Sequence, residues 1–312
     1  DKAVHLGPDN PRIWFQKGLG SFYTPKMFGG GKDKALEEFT HAIELYRKEA
    51  PLPPVHPQWG HDEAWAWLGQ IYQEQGRFED AVARIRNAIG MGLASKQANA
   101  LYTLAEALEM TGSYEAALTA IAQTTNCTAG PVWLRGRLHR IRLLHTMGDL
   151  EAAQRELELT WHQYGASAAE AFPGVLAMLG RSEQAAAILR VNESKWRNGR
   201  LSVAANSFTG HYHLGEFDQA FVWLDRAIEN RERRLVPLLR SERVFQNIRD
   251  DARFERAMRR LDEIEAMGSP TRSSGIILRG DTMDAPICSL PHTATPFSSV
   301  QPTCYLRKIQ VG

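Results

Sequence analysis

The sequence lacks long hydrophobic runs and an excess of one charge. No stretch of about 18 apolar residues occurs in its 312 residues, which excludes a membrane-spanning helix within them. Lys and Arg number 37 against 36 Asp and Glu, a formal net charge of +1. No global field therefore draws the chain to nucleic acid or to an anionic membrane.

Cysteine is also scarce. The three cysteines, Cys127, Cys288 and Cys304, are widely spaced and form no CxxC pair, so a structural zinc site or a disulfide framework is not expected. Cys288 and Cys304 remain a possible pair in an oxidising compartment. No GxSxG motif and no papain-like cysteine motif is present, and we predict neither a catalytic residue nor a cofactor.

The chain begins at Asp1, and no charged and then apolar leader follows it. We therefore expect a processed chain or a piece of a longer one. The sequence leaves the compartment open between cytoplasm and periplasm, and it also leaves the oligomeric state open.

A glycine run, Gly29–Gly31, precedes a lysine and looks at first like a phosphate-binding loop. Such a loop needs a glycine five residues before its Gly-Lys pair and a Ser or Thr after the lysine. Those places hold Lys26 and Asp33, and the carboxylate of Asp33 would repel phosphate. A nucleotide site is therefore not predicted.

What the sequence does contain is a repeat of small and large residues at fixed spacing. In one unit the large side chains are Trp65, Leu68, Tyr72 and Ile85, and the small ones are Gly69, Gly76, Ala81 and Ala88. Small residues allow two antiparallel helices to approach closely where they cross, while large ones fill the space beside the crossing. We predict that Gly76 ends the first helix in the left-handed conformation.

The same pattern returns downstream with turn glycines 36, 36, 32 and 35 residues apart. Its members are Gly112 and Ala117, then Gly148 and Ala153, then Gly180 and Ala185, and finally Gly215, Ala220 and Ala227. The pattern resembles the tetratricopeptide repeat. That resemblance implies an all-α superhelix of about six helical hairpins.

The pattern divides the chain into four regions. Residues 1–61 form a first hairpin with an enlarged, glycine-rich turn and a proline-rich connection, and residues 62–230 form the repeat array. Residues 231–266 form a helical cap, and residues 267–312 form a mostly disordered tail. In the first hairpin we expect a helix to begin at Asn10-Pro11 and Phe28 to tuck beneath the turn.

Two stretches add further resemblances. The wording "TP..FGGG..KA" followed by "P.WG" in the first hairpin is similar to that of some bacterial tetratricopeptide proteins. The cap, with Val244, Phe245, Ile248, Arg249, Phe254 and Leu261, resembles the closing segment of arrays attached to bacterial adenylate cyclases, protein kinases and winged-helix regulators. We expect this cap to cover the apolar face of the last repeat.

Two units depart from the pattern. Pro173-Gly174 falls inside an expected first helix, so we predict that this helix is kinked or starts late. Arg137 and Arg140 stand where bulky apolar residues are expected.

The resemblance also implies which residues face the concave groove. They include Gln70, Gln73, Asn99, Tyr102, Glu106, Met110, Arg135, Arg142, His145 and Tyr212. This wall is acidic early and basic in the middle, so we expect it to bind a protein or peptide partner, with Arg135 and Arg142 reading carboxylates. The lysine and asparagine set that grips chaperone C-termini is absent.

We therefore predict a non-catalytic scaffold that binds a protein or peptide partner. One alternative is a regulatory or sensor arm of a larger bacterial signalling protein. Another is a metal-binding or enzymatic protein that uses His56, His61 and the Gly29–Gly31 loop. The arginines near residues 226–260 are interleaved with acids, which favours a solvated helix face over nucleic-acid binding.

Overall fold

The computed structural model describes residues 2–50, 59–92, 97–127 and 131–267. His56, Cys288, Cys304 and the tail from residue 268 onward lie outside these ranges. Within them the chain forms fifteen α-helices and short 3-10 turns, and it contains no β-strand. The predicted all-α fold is confirmed.

The helices follow one another along the chain with short connections. Their bounds are α1 Lys2–Leu6, α2 Pro11–Tyr23, α3 Lys32–Lys48, α4 His61–Glu74, α5 Phe78–Gly90, α6 Gln97–Met110, α7 Tyr114–Cys127, α8 Pro131–Thr146, α9 Leu150–Ala168, α10 Pro173–Met178, α11 Ser182–Arg197, α12 Ala204–His213, α13 Phe217–Glu229, α14 Val236–Arg240 and α15 Ala252–Met267.

From α2 to α13 the helices pair into six hairpins, and each hairpin packs on the next. Each of the five predicted turn glycines has a positive φ, which L side chains resist; they are Gly76, Gly112, Gly148, Gly180 and Gly215. Glycine at these places lets the chain reverse within three residues. The turns predicted from the spacing are therefore confirmed.

The small residues lie where the helices cross. Ala81 and Ala88 are fully buried, and a Cβ added at Gly69 would overlap the side chain of Ile85. The large partners Trp65, Leu68 and Tyr72 are buried beside the crossing. The close approach that the repeat pattern predicts is present.

The first hairpin has the enlarged turn that the glycine run predicts. Asn10 caps α2 by accepting a hydrogen bond from the backbone N–H of Arg12 at 3.0 Å, and a 3-10 turn at Lys26–Phe28 leads to Gly29 in the left-handed conformation. The expectation for Phe28 is wrong, because its side chain is 72% exposed. Fixed backbone hydrogen bonds, such as that from Gly31 N–H to the Ser21 carbonyl at 2.8 Å, close the turn without it.

The two irregular units are accommodated by local changes. α10 starts late, at Pro173, which takes the first helical position where its missing N–H costs nothing. Arg137 and Arg140 both pair with Glu156 of α9, at 2.6 and 3.6 Å. A carboxylate on the second helix thus compensates for arginines at places that are usually apolar.

The cap packs on the last hairpin and then reaches the first one. α15 lies on α13 and buries Phe254, Ala257 and Leu261, as expected. The segment 235–249 that precedes it, here called the strap, crosses to the early repeats, so that Arg240 lies against Gly76. The sequence did not predict this crossing.

An ion-pair cluster joins the two ends of the array. The ammonium of Lys32, at the start of α3, lies 2.8 Å from a carboxylate oxygen of Glu74 and 2.8 Å from one of Glu265 in α15. Arg240 of the strap pairs with Glu265 at 3.1 Å and with Asp262 at 2.6 Å. The described hairpins therefore close into a ring, with the strap along its inner side.

Candidate functional site

The concave wall and the strap enclose a cavity of about 490 Å³. The wall side is formed by the first helices α6, α8, α10 and α12, and the strap closes the opposite side. Seven of the residues expected to face the groove line this cavity, namely Tyr102, Glu106, Met110, Arg135, Arg142, His145 and Tyr212. The repeat register therefore brings these seven together.

The other three expected groove residues lie outside the cavity. Gln70 is half-buried, and its amide donates to Glu74 at 3.2 Å. Gln73 is 3% exposed and donates to Glu106 at 3.2 Å. Asn99 is half-buried, and its backbone carbonyl accepts from the hydroxyl of Thr103. Gln73 thus contacts the wall through Glu106, from the neighbouring first helix α4.

A buried carboxylate organises the centre of the wall. Glu109 accepts two hydrogen bonds from the guanidinium of Arg142, at 3.0 and 2.6 Å, and lies 2.8 Å from Nε2 of His139. Burial alone would raise the pKa of Glu109, but Arg142 and His139 outweigh it and hold that pKa well below its usual range. Arg142 is therefore committed to Glu109, rather than free to read a partner's carboxylate.

A second polar group stands beside this pair. The guanidinium of Arg135 lies 4.4 Å from the ring centroid of Tyr102, and burial raises the pKa of the Tyr102 phenol to about 12, with Glu106 adding to the effect. Burial opposes the charge on Arg135, while Tyr102 and Glu106 raise its pKa. The arginine thus stays cationic at the cavity wall.

The strap supplies a side of the cavity that sequence reasoning missed. Phe245 is buried, and its ring packs 4.8 Å from that of Phe208 and 4.9 Å from that of Tyr212. Its φ of 58° is rare for a residue with a side chain. The guanidinium of Arg249 donates to the carbonyls of Leu239, Ser241 and Val244 and holds this bend.

The cavity also has an apolar part formed by Leu138, Val175, Met178, Leu238 and Val244. Leu138 occupies an inward-facing position of its repeat. Val175 and Met178 belong to α10, which starts late at Pro173 and departs from the repeat register. The strap residues have no repeat signal at all. Aliphatic side chains at these places can exclude water from a bound apolar group.

The metal hypothesis gains no support from the described residues. His61 stacks on Tyr46 at 4.9 Å between ring centroids, and burial, followed by Arg47, lowers its pKa. The described ranges contain no group of three or more His, Cys, Asp or Glu side chains placed to hold a metal ion. His56, its proposed partner, lies outside them.

None of the described helices combines the length and the apolar character needed to span a bilayer.

The chain is similar to known repeat proteins in part of its sequence and in its structure. Residues 64–131 match the sequence model of the tetratricopeptide repeat. No curated protein sequence matches the chain. Among solved structures, the chain is similar to a tetratricopeptide repeat protein from Parabacteroides merdae ATCC 43184, with 14% identity, a TM-score of 0.47, and coverage of 84% of this chain and 94% of that chain.

Proposed function

We propose that this chain, a tetratricopeptide repeat protein, is a non-catalytic scaffold that holds a segment of a partner protein in the cavity between its concave wall and its strap. Stacked helical repeats expose extended concave surfaces that suit such binding. The observation that carries the proposal is the convergence of seven inward-facing residues from several repeats on one cavity of about 490 Å³.

The chemistry of the lining supports binding rather than catalysis. Glu109, the wall carboxylate whose pKa is shifted most, is held in place by Arg142 and His139. A general base must be within reach of a proton on the substrate, whereas Glu109 is 6% exposed. The polar cluster therefore stabilises the wall, and the apolar residues around it offer contact area.

A wedge variant tests the proposal. Asn206 of α12 lines the cavity and is half-buried, so Asn206→Trp fills part of the volume. Gln154→Trp, at an exposed position of α9, adds the same side chain outside the cavity and serves as the matched control. Wild type and both variants are used for affinity capture, and captured proteins are identified by mass spectrometry.

We expect the wedge to remove partners that the wild type and the control both retain, while thermal melts of the two variants remain alike. Capture that is equal for all three proteins would contradict binding in the cavity.

A further inference from the structure

The charges that line the cavity are not balanced within it. Four arginines and two glutamates line it, namely Arg135, Arg142, Arg234, Arg243, Glu106 and Glu109. Arg142 is neutralised by Glu109, and Arg234 pairs with Glu232 at 2.6 Å. Glu106 acts on Arg135 electrostatically but forms no ion pair with it, and among the described residues no carboxylate lies within ion-pairing distance of Arg243.

These two arginines lie on opposite sides of the cavity. Arg135 belongs to the wall helix α8, where the ring of Tyr102 supports its guanidinium. Arg243 belongs to the strap and lies over the turn at Gly112, where an added Cβ would be 3.1 Å from its Nη1. A segment that enters between wall and strap therefore meets one guanidinium on each side.

Part of the cavity lining is apolar. Leu138, Met178 and Val244 are only half-buried, so their side chains retain surface that a ligand can cover. A volume of about 490 Å³ lies within the range of pockets that bury a compact organic group. The lining thus offers contact to a bulky apolar side chain flanked by anionic groups.

The chain's own C-terminal tail does not match this chemistry. Residues 268–312 carry four basic residues, Arg272, Arg279, Arg307 and Lys308, against two acidic ones, Asp281 and Asp284. A net basic segment would meet the arginines with like charge. The charge of the lining favours an acidic segment from another protein.

We propose that the cavity takes an acidic segment of another protein that carries one bulky apolar side chain. The segment's carboxylates pair with Arg135 and Arg243, because a guanidinium binds a carboxylate through two parallel hydrogen bonds. Its apolar side chain packs among Leu138, Met178 and Val244. This inference rests on the proposed function, and it adds the chemistry of the partner.

The test uses the full chain and an array of short peptides in which acidic content and bulky apolar content vary independently. Bound peptides are then titrated in solution by fluorescence anisotropy against the wild type, the double variant Arg135→Gln with Arg243→Gln, and the control Arg86→Gln. Arg86 lies at an exposed position of α5. The wedge variant Asn206→Trp is titrated in parallel.

We expect the array to select peptides that are both acidic and apolar. We expect the double variant to weaken their binding about tenfold or more, while Arg86→Gln leaves binding unchanged. Added salt should weaken binding to the wild type more than binding to the double variant.

Three outcomes would overturn the inference. One is selection of neutral or basic peptides, or of none. Another is binding of acidic peptides that the double variant does not weaken. The third is self-association of the chain that the double variant abolishes, which would make a second copy the occupant.

If the wedge variant blocks binding of peptides of another chemistry, the cavity still binds a partner, and only the assignment of charge fails. If the wedge blocks nothing, the proposed function fails as well.

Discussion

At the scale of single residues, the packing depends on positions that tolerate no side chain. An added Cβ would lie 2.3 Å from the side chain of Ile85 at Gly69 and 2.8 Å from the ring of Phe39 at Gly18, which leaves no room for a methyl group at either position. The exposed Gly20 of α2, in contrast, has no heavy atom within 4 Å of an added Cβ. The same substitution should therefore have opposite effects at different helical glycines.

We predict that Gly69→Ala lowers the free energy of unfolding by about 1–3 kcal/mol, because the added methyl overpacks a helix crossing. Gly20→Ala should raise it by about 0.5–1 kcal/mol, since alanine loses less backbone entropy than glycine in a helix. Urea denaturation followed by circular dichroism measures both. Equal destabilisation of the two variants would contradict the assignment of Gly69 to the crossing.

A second residue-scale prediction concerns pH. Burial, followed by the nearby Arg142 and His145, lowers the pKa of His213 from 6.5 to about 4. Between these pH values His213 binds a proton in the unfolded chain but stays neutral in the folded chain. The free energy of unfolding must therefore fall as the pH falls through this window.

Urea midpoints measured from about pH 7 to about pH 4 should fall less steeply in His213→Gln than in the wild type. His162→Gln, at an exposed position of α9, should keep the wild-type slope. Parallel curves for His213→Gln and the wild type would show that His213 is not the group that titrates.

The structural role of a residue was predictable where the residue belongs to the repeat pattern. The spacing identified Gly69, Ala81 and the turn glycines, since these residues have the same task in every unit. The ion pair between Glu109 and Arg142 was not foreseen, because it joins residues of two repeats that are 33 positions apart. The role of Arg142 therefore depends on a neighbour that no single unit reveals.

At the scale of elements, the strap is the part that local patterns could not place. The sequence predicted a helical cap over residues 231–266, and within this range α15 packs on α13. The path of residues 235–249 depends on the curvature summed over six hairpins. Each hairpin contributes a small rotation, and that rotation cannot be predicted from the residues of the hairpin alone. Only the complete array shows which early repeat the strap reaches.

We predict that Arg249→Ala loosens the strap without unfolding the repeats. The Arg249 guanidinium binds three strap carbonyls, and without it the left-handed bend at Phe245 loses its support. Hydrogen exchange of residues 239–249 should accelerate, while α4–α7 stay protected. Arg256→Ala, at an exposed position of α15, is the control and should leave strap exchange unchanged; equal protection in Arg249→Ala would contradict the clamp.

At the scale of the whole molecule, ion pairs join the two ends of the array. Lys32 is 23% exposed and bridges Glu74 to Glu265, whereas Lys26 in the same turn forms a pair with Asp33 in which both side chains are at least 70% exposed. Partly buried charge networks are screened less by salt than exposed pairs are. Lys32 should therefore matter to the closed shape, and Lys26 should not.

We predict that Lys32→Gln increases the radius of gyration measured by small-angle X-ray scattering, since Glu74 and Glu265 are then left facing each other without their shared cation. Lys26→Gln should match the wild type. An unchanged radius in Lys32→Gln, at low and at high salt, would show that the apolar contacts of the strap alone keep the ring closed.

The bond from Lys32 to Glu265 joins residues 233 positions apart in the chain. In an open stack each repeat touches only its neighbours, so melting can begin at either terminus and spread inward. In the part of the chain that the structure describes, the first hairpin and α15 contact each other through Lys32 and Glu265, so neither is an open end of the stack. Thermal cooperativity should therefore extend over all six hairpins, and we expect the large sequence separation of this contact to slow folding.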